Sequence, residues 1–417
     1  MAYIIGLLTI LVTAVWQIEN WRGRQRWEEV TAMVHAAGDD LRWVPPIPAP
    51  VPDDQNAARH PVFASAFQPS DSPYGYRLDF APIWEEVSAG IPTTLDAIVS
   101  ADPQDVLDNT AVFGDFATEL DQAFQRPYCF WFTRDPGLQE GPATFPSAVM
   151  GSVTSLVPKF FELGAVRARA HLELGDPDSA VREVSSLIRF ARSFGSGTGG
   201  LGILVESVVL QIALPEVAEI IAMPGWDDAA LIELSGALAD LDLLDRTDSW
   251  FRSLRAGAIQ MSLEYADDSS SFPVEMNIDS IEGLCAHLIS HLPRGWYYQN
   301  VANLTLWWEE GAFPYYDRST IRVDPGPFPK PWKTGLTPYT LITTYMMPVP
   351  TFRAIYRSVG AQQSAGQLCQ LLCSIERFRL DQGELPDRLD QLVPRFIDKI
   401  PTDLITGAPP HYARDED

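Results

Sequence analysis

Cysteine is scarce in this sequence. Four occur in 417 residues, as Cys129, Cys285, Cys369 and Cys373, and no CxxC pair is present. This excludes a disulfide framework and a cysteine-rich zinc site, and it leaves the redox compartment open. Cys369 and Cys373 lie on one face of a helical pattern. Because free cysteines are usually buried, we expect this pair to pack in the core as small apolar residues.

Basic residues are also few. The chain has 30 lysines and arginines against 55 aspartates and glutamates, a formal net charge of −25, and no Lys/Arg run. A protein that binds nucleic acid needs a basic face, so we expect no nucleic-acid partner. With 46% hydrophobic residues the composition is that of a globular protein and not of a disordered chain.

Sequence motifs for catalysis are missing. The chain contains neither GxSxG nor a P-loop, and its glycine-rich run at 195–202 follows a helical pattern instead of a strand, which predicts an interhelix linker. His287 and His291 share one helical face and are the metal candidates. They lack the intervening glutamate of HExxH and an evident third ligand, so a structural role is favoured. The sequence therefore assigns no catalytic or cofactor-binding residue and implies no cofactor.

One long apolar run is present, at the N-terminus. Residues 2–16 read AYIIGLLTILVTAVW, and Gln17 and Ile18 extend the run to the shortest length that crosses a hydrocarbon core of about 30 Å. Tyr3 and Trp16 are typical of membrane interfaces. No basic residue precedes the run and no small-x-small site follows it. The pattern predicts a retained transmembrane anchor that contacts lipid, and not a cleaved signal peptide.

The charges next to the anchor indicate on which side of the membrane the rest of the chain lies. Arg22, Arg24 and Arg26 follow the anchor, whereas only the amino terminus precedes it. By the positive-inside rule these arginines favour a cytoplasmic body.

A second apolar stretch, 201–223, is long enough to raise the question of another span. It contains Glu206, Glu216 and Glu219, and each central carboxylate costs a few kcal/mol in lipid. The stretch therefore predicts a buried helix of the soluble body.

Helical patterns continue through the body. Residues 20–37 predict a polar helix that ends at Gly38, and the prolines of 45–56 predict an extended polyproline strut. Residues 126–137 are aromatic and predict a strand or a buried extended run. Residues 226–244 and 247–265 predict two further helices.

The clearest pattern covers 152–194. Two helical segments flank Gly175, and Asp176 and Pro177 are suited to the N-cap and first position of the second helix. This is the signature of an αα-hairpin of tetratricopeptide type. No repeat of about 34 residues follows, so a solenoid is not expected.

The C-terminal segment predicts a helix over 360–380 that Gly383 ends, a short second helix from Pro386, and then an extended stretch. Its string ERFRLDQGELPDRLDQLVPRFIDKIPTD resembles the region after the long helix of type II secretion pseudopilins, over roughly 370–412.

A broader resemblance covers most of the chain. The strings IENWRGRQRWEEV, PPIPAPVPDDQN, WDDAALIELSGALADLD and LPRGWYYQN resemble an uncharacterised family of bacterial single-pass, membrane-anchored helical proteins. The resemblance implies this architecture and no known activity. It also implies an extracytoplasmic body, opposite to the side that the flanking arginines favour, so the side of the membrane stays open.

The expected fold is mainly α, with a transmembrane helix, a helical-hairpin, tetratricopeptide-like body and a small C-terminal helix-plus-extended module. The expected segments are an anchor (1–18), a juxtamembrane helix and proline-rich strut (19–58), a helical body (59–360) and the C-terminal module (361–417). The first functional hypothesis is a non-enzymatic membrane-tethered scaffold or assembly component with a protein partner. The alternatives are a membrane-bound enzyme, such as a hydrolase, whose site forms only in three dimensions, and a secretion or pilus accessory protein.

Overall fold

The computed structural model describes residues 2–42, 49–70, 76–89, 91, 102–132, 153–195, 199–267, 293–324, 339–340 and 351–414. The structure is mainly helical, as predicted. The helices are α1 (Ala2–Ala36), α2 (Ala81–Val87), α3 (Pro103–Asn109), α4 (Ala111–Phe124), α5 (Val153–Glu173), α6 (Pro177–Ser193), α7 (Gly199–Ile221), α8 (Asp228–Leu238), α9 (Leu243–Asp267), α10 (Arg294–Trp307) and α11 (Thr351–Gln382). The short strands are β1 (Phe67–Pro69), antiparallel to β2 (Tyr76–Leu78), β3 (Tyr316–Asp317) and β4 (Arg322–Val323).

The chain divides into two compact units. Unit 1 comprises Met1–Pro45, Asp248–Thr320 and Asp324–Ala354, and unit 2 comprises Pro46–Thr247, Ile321–Val323 and Ile355–Asp417. Unit 1 therefore contains the N-terminal helix together with a segment that lies more than 200 residues later in the sequence.

Helix α1 is one continuous helix of 35 residues. Among the described residues it is the one helix long and apolar enough to cross a membrane, with a mean hydropathy of 1.4 and 6% of the apolar window buried. Its C-terminal half instead buries Val30 and Val34 in unit 1. Val34 packs with Ile259 of α9 and Val301 of α10. Gly38, with a φ of +82°, follows the helix, as predicted.

Helices α1 and α10 approach each other backbone to backbone. A Cβ built on Gly23 would overlap the carbonyl oxygen of Gly295, and a Cβ on Gly295 would overlap the carbonyl oxygen of Glu19. Only glycine allows so close a crossing. The Asn20 side-chain oxygen accepts a hydrogen bond of 2.9 Å from the Gly295 N–H, which fixes the register of the crossing.

Beside this crossing, the Glu19 carboxylate is 8% exposed. It accepts hydrogen bonds from Trp296 Nε1 at 3.0 Å and from the Tyr339 hydroxyl at 3.0 Å, and Arg22 Nη1 donates to it at 2.8 Å. A buried carboxylate is tolerated only with such partners. The first charged residue after the apolar run therefore binds α1 to the rest of unit 1.

In unit 2, the two helices predicted around Gly175 are present as α5 and α6, which pack against each other. Gly175 has a φ of +77°, and the Asp176 side chain accepts a hydrogen bond of 3.1 Å from the Ser179 N–H. Helix α7 buries Val209, Leu210, Ala213 and Leu214, in agreement with the prediction that 201–223 forms a buried helix.

Aromatic side chains fill the core of unit 2. The Trp131 ring lies 4.9 Å from Phe63 and stacks 5.3 Å from Phe194, centroid to centroid. Trp131 belongs to the aromatic run predicted to be a strand or a buried extended run. This run forms a parallel bridge between Tyr128 and Asn56, and its part beyond residue 132 lies outside the described residues.

The prediction of an extended proline-rich strut holds at Pro52, which has a φ of −53° and a ψ of 140°, and is wrong beyond it, since Asp53–Gln55 form a 3₁₀ helix. The run of prolines ends at Pro52, and its carbonyl accepts a turn-closing hydrogen bond of 2.9 Å from the Gln55 N–H. Residues 43–48 lie outside the described part.

In the C-terminal segment, Gly383 has a φ of +80° and follows α11, as predicted. The predicted second helix from Pro386 is only a four-residue 3₁₀ turn, Leu389–Leu392. Pro394 disfavours helical geometry at the preceding residue, and Val393 is extended. Leu392 and Phe396 pack on Leu371 of α11.

The crossing of α1 and α10 gives a first prediction. We expect Gly295→Ala to lower the free energy of unfolding by roughly 1–3 kcal/mol, because the added methyl group collides with the Glu19 carbonyl. Thermal unfolding of the full-length protein in detergent measures the change. Gly236→Ala on α8 is the matched control, since nothing lies within 4 Å of its added Cβ. Equal stability of the two variants would show that the crossing is not close.

Candidate functional site

A pocket of about 490 Å³ opens in unit 2. It lies where the end of α4 and the extended run after it face the ends of α6 and α8 and the starts of α7 and α9. Its lining combines aromatic and apolar residues with both signs of charge: Phe124, Arg126, Pro127, Tyr128, Cys129, Arg189, Arg192, Ser193, Glu206, Asp240, Asp242 and Arg246. Four arginines in one pocket contrast with the acidity of the whole chain.

The turn between α8 and α9 forms one wall. The sequence predicted a single helix over 226–244, but α8 ends at Leu238 and α9 begins at Leu243. This prediction is wrong because Asp240 adopts a φ of +55°, in the left-handed region, and interrupts the helix. A non-glycine residue in this region is strained and requires support from its surroundings. The Asp240 carbonyl supplies part of that support, since it accepts hydrogen bonds from Arg192 and from the Asp242 N–H.

Glu206 and Arg246 form an ion pair at the floor of the pocket. Arg246 Nη2 donates to Glu206 Oε1 at 2.9 Å, and Nη1 lies 2.8 Å from Oε2. The Glu206 side chain is 0% exposed. Burial raises the pKa of Glu206, and the charge of Arg246 opposes this rise. Arg246 also lies 2.8 Å from Asp242.

Gly195 permits this ion pair. A Cβ at this position would overlap Glu206 Oε2 and Arg246 Nη1. The glycine after α6, which the sequence places at the start of a linker, therefore lies directly against this ion pair. Since the guanidinium of Arg246 faces both oxygens of Glu206, the carboxylate is held as an ion pair and is not directed at the open volume.

Cys129 carries the one thiol group in the lining of the pocket. Burial raises the pKa of its thiol to about 12, although a hydrogen bond with Ser193 opposes the rise. Because the thiolate is the nucleophile, a thiol with this pKa is inert at neutral pH. Ser193 itself donates to the Phe190 carbonyl at 2.6 Å and accepts from Trp131 Nε1 at 3.0 Å, so its hydroxyl serves the core.

A second charged cluster of unit 2 is structural. Arg167 donates to both oxygens of Glu183, at 2.7–3.1 Å, and to the carbonyl and hydroxyl oxygens of Thr110, at 2.9 and 2.6 Å. His171 lies 3.2 Å from Glu183. Arg167 and Glu183 are 5% and 6% exposed, so the cluster ties α3, α5 and α6 together beneath the surface.

A third cluster lies in unit 1 at the end of α1. Asp39 pairs with Arg252 and Arg255 of α9, and Arg255 also pairs with Glu309. Burial alone would raise the pKa of Asp39, but the hydrogen bond and charge of Arg255 outweigh burial and lower it. Glu309 lies in a π-helical turn, Trp308–Ala312. Both arginines also lie over the Phe313 ring, at 4.4 and 5.1 Å.

The metal candidates His287 and His291 lie outside the described residues. Within the described part of the chain, no group of three or more His, Cys, Asp or Glu residues is placed to hold a metal ion. Cys369 and Cys373 lie on α11 and are buried, at 2% and 0% exposed, as expected for small core residues.

The pocket could not be predicted from the sequence. One signal pointed towards it, namely Glu206 within the apolar stretch 201–223, because a carboxylate on a buried helix requires a cationic partner. The partner, Arg246, lies 40 residues away, and nothing in the sequence pairs the two. Arg126 and Arg192 carried no sequence signal.

Comparison of the chain with known protein families, with curated proteins and with solved structures finds no match.

The Glu206–Arg246 pair gives a second prediction. Arg246→Ala leaves a buried carboxylate without its main partner, and we expect a loss of about 3–5 kcal/mol of unfolding free energy at pH 7.5. The double variant Glu206→Leu/Arg246→Met should recover most of this loss, since it removes both charges and keeps the volume. Chemical denaturation of the full-length protein measures both effects. If Arg246→Ala were as stable as wild type, Glu206 and Arg246 would not form a buried ion pair.

The same carboxyl group gives a pH prediction. Because the pKa of Glu206 is raised in the folded state, folded protein holds this proton more tightly than unfolded protein does. Its contribution to stability is therefore full below the ordinary value of 4.5 and declines as pH rises above it. We expect the stability of wild type relative to Glu206→Gln to fall between pH 4.5 and neutrality. A difference that stays flat or rises over this interval would contradict the raised pKa.

Cys129 gives a chemical prediction. With a pKa of about 12, its thiolate fraction at pH 8 is on the order of 10⁻⁴, so iodoacetamide should label it about 10³-fold more slowly in folded than in denatured protein. Site-resolved mass spectrometry distinguishes Cys129 from the other cysteines. Labelling of the folded protein at a rate within tenfold of the denatured rate would show that the pKa of the thiol is not raised.

Proposed function

We propose that this protein is a non-catalytic, membrane-tethered scaffold that holds a helical body at a fixed geometry to the bilayer and presents it to a protein partner. The observation that carries the proposal is the continuity of α1. A single helix is apolar and exposed over its first half and packed into unit 1 over its second half.

The first half of α1 has the surface of a membrane span. Large apolar side chains lie exposed all around the helix, with Tyr3 at 95%, Leu7 at 71%, Ile10 at 69% and Leu11 at 60%. Exposure of this extent is unfavourable in water and is removed by lipid. Thr9 and Thr13 donate their hydroxyl hydrogens to backbone carbonyls of the preceding turn, at 2.9 and 2.8 Å, so these polar groups are satisfied within the helix.

The second half of α1 is held at two points. Near the apolar run, Glu19 accepts hydrogen bonds from Trp296 and Tyr339 next to the Gly23–Gly295 crossing. After the end of the helix, Asp39 pairs with Arg252 and Arg255. Two attachments about twenty residues apart in sequence, equivalent to roughly 30 Å of helix, leave α1 no freedom to swing relative to unit 1. A tether of this kind transmits position and orientation, as a scaffold requires.

The pocket of unit 2 favours a binding role over catalysis. Catalysis by a carboxyl or thiol group needs that group to be free to exchange a proton or to attack a substrate. Glu206 is paired with Arg246, and burial holds the Cys129 thiol in its neutral form. We further propose that the packed helices α5 and α6 are a hairpin of tetratricopeptide type, a class of helical module whose stacked copies form binding surfaces.

The proposal is tested on the full-length protein in cell membranes. We expect wild type to stay in the membrane fraction after extraction at alkaline pH and to co-purify with a partner at fixed stoichiometry. Leu7→Arg/Leu11→Arg places two charges in the apolar half of α1 and should release the protein, whereas Val112→Arg, an exposed apolar position on α4, is the control.

Retention of the double variant would show that α1 does not hold the protein in the bilayer. Purification of wild type as a partner-free monomer would remove the scaffold role. Turnover of a substrate that Glu206→Gln abolishes would favour the enzyme alternative.

A further inference from the structure

We propose that the pocket of unit 2 binds a small ligand through an oxyanion, a carboxylate or a phosphate group, held by Arg126 and Arg192. This inference does not rest on the membrane tether. It follows from which hydrogen-bonding groups of the pocket are engaged and which are left over.

Arg126 presents an unused edge. Its Nη1 group donates to two backbone carbonyls, Asp53 O at 2.9 Å and Asn56 O at 3.0 Å. Within the described residues, its Nε and Nη2 groups have no hydrogen-bond partner and no carboxylate lies within 4.0 Å. Nε and Nη2 form the edge of a guanidinium that binds two oxygens of a carboxylate or phosphate in parallel.

The backbone that orients Arg126 is rigid. Asn56 is 1% exposed. Its side-chain oxygen accepts from the N–H groups of Ala58 and Phe130, at 3.2 and 2.9 Å, and its amide donates to the Phe130 carbonyl at 3.1 Å. The two carbonyls therefore hold the guanidinium in place before a ligand arrives. Such preorganisation lowers the entropy cost of binding.

Arg192 lines the same pocket and, like Arg126, donates hydrogen bonds to backbone carbonyls. Its Nη1 donates to the Ala237 carbonyl at 2.8 Å and its Nη2 to the Asp240 carbonyl at 3.1 Å. These two bonds leave three of its five N–H groups, and no described carboxylate comes within 4.0 Å of it. The other two arginines differ, because Arg189 lies 3.3 Å from Asp121 and Arg246 pairs with Glu206.

The acidic residues that line the pocket restrict further which class of ligand can bind. Glu206 and Asp242 are both paired with Arg246. The Asp240 carboxylate, in contrast, has no hydrogen-bond partner among the described side chains and backbone groups. It lies next to the oxyanion site, since its own carbonyl is bound to Arg192. A carboxylate at this position favours a ligand that carries a hydroxyl or ammonium donor close to its oxyanion, such as a hydroxy acid, an amino acid or a sugar phosphate.

Size and wall chemistry agree with such a ligand. A cavity of about 490 Å³ is in the range of small-molecule sites. Phe124, Pro127 and Tyr128 supply an apolar wall beside the charged groups, and Tyr128 is 44% exposed. An aromatic face of this kind packs against the carbon skeleton of a ligand while the arginines bind its charge.

The test uses full-length protein in a non-ionic detergent. Calorimetric titrations with inorganic phosphate and with citrate are made at matched ionic strength. We expect saturable binding of at least one anion by wild type. Arg126→Ala and Arg192→Ala should each weaken it at least tenfold. Arg388→Ala is the control and should bind as wild type, because Arg388 is exposed and pairs with Asp390 at 2.6 Å, outside the pocket.

Two further variants separate a loss of binding from a loss of folding, and they test the roles of the guanidinium edge and of the neighbouring carboxylate. Arg126→Lys keeps the charge but loses the two-pronged edge, and we expect it to fold and to bind at least fivefold more weakly. Asp240→Asn removes a neighbouring negative charge, so inorganic phosphate should bind severalfold more tightly. The absence of saturable binding, or equal binding by wild type, Arg126→Lys and Arg192→Ala, would overturn the proposal.

The source of the oxyanion is read from the same assay. A water-soluble short-chain phosphatidic acid that binds more tightly than phosphate, and does so only with Arg126 intact, assigns the site to a lipid headgroup. Binding no tighter than that of phosphate assigns it to a soluble metabolite.

Discussion

The backbone-to-backbone crossing of α1 and α10 is the contact on which the architecture of unit 1 depends. Gly23 and Gly295 remove the side chains that would separate the helices, and Asn20 binds the Gly295 N–H. With the helices this close, Glu19 comes within reach of Trp296 and becomes buried. The apolar half of α1 is consequently an extension of a packed core helix, with no flexible joint between the two.

Few charged side chains are buried in the described part of this acidic chain, and each buried carboxylate there has a cationic or polar partner. Glu183 is paired with Arg167, and Asp39 with Arg255. Such pairs are costly to bury and costly to break, so they fix which helices meet more than they add to stability. The pocket of unit 2 also contains two arginines without a carboxylate partner, since Arg126 and Arg192 donate to backbone carbonyls and no described carboxylate lies within 4.0 Å of either. The remaining N–H groups of these two arginines are the basis of the proposed oxyanion site.

Local chemistry could be predicted from the sequence, and long-range pairing could not. Gly175 with Asp176, and Gly383, predicted helix boundaries that the structure confirms, since a left-handed glycine or an N-cap acts on its own neighbours. Asp240 was missed because its left-handed conformation depends on contacts from Arg192. Arg246, the partner of Glu206, lies 40 residues away in sequence. Gly295, which faces Gly23, lies 272 residues away. The periodicity of a local sequence pattern cannot predict contacts over such separations.

Helix α1 is one rigid helix whose second half is docked into unit 1. Hydrogen–deuterium exchange of the full-length protein in nanodiscs tests it most directly, read at the amides of residues 22–36. We expect protection over this whole segment equal to that of α10, with Val30 and Val34 among the slowest amides. Exchange of these amides at the rate of an unprotected peptide, beside a protected α10, would contradict it.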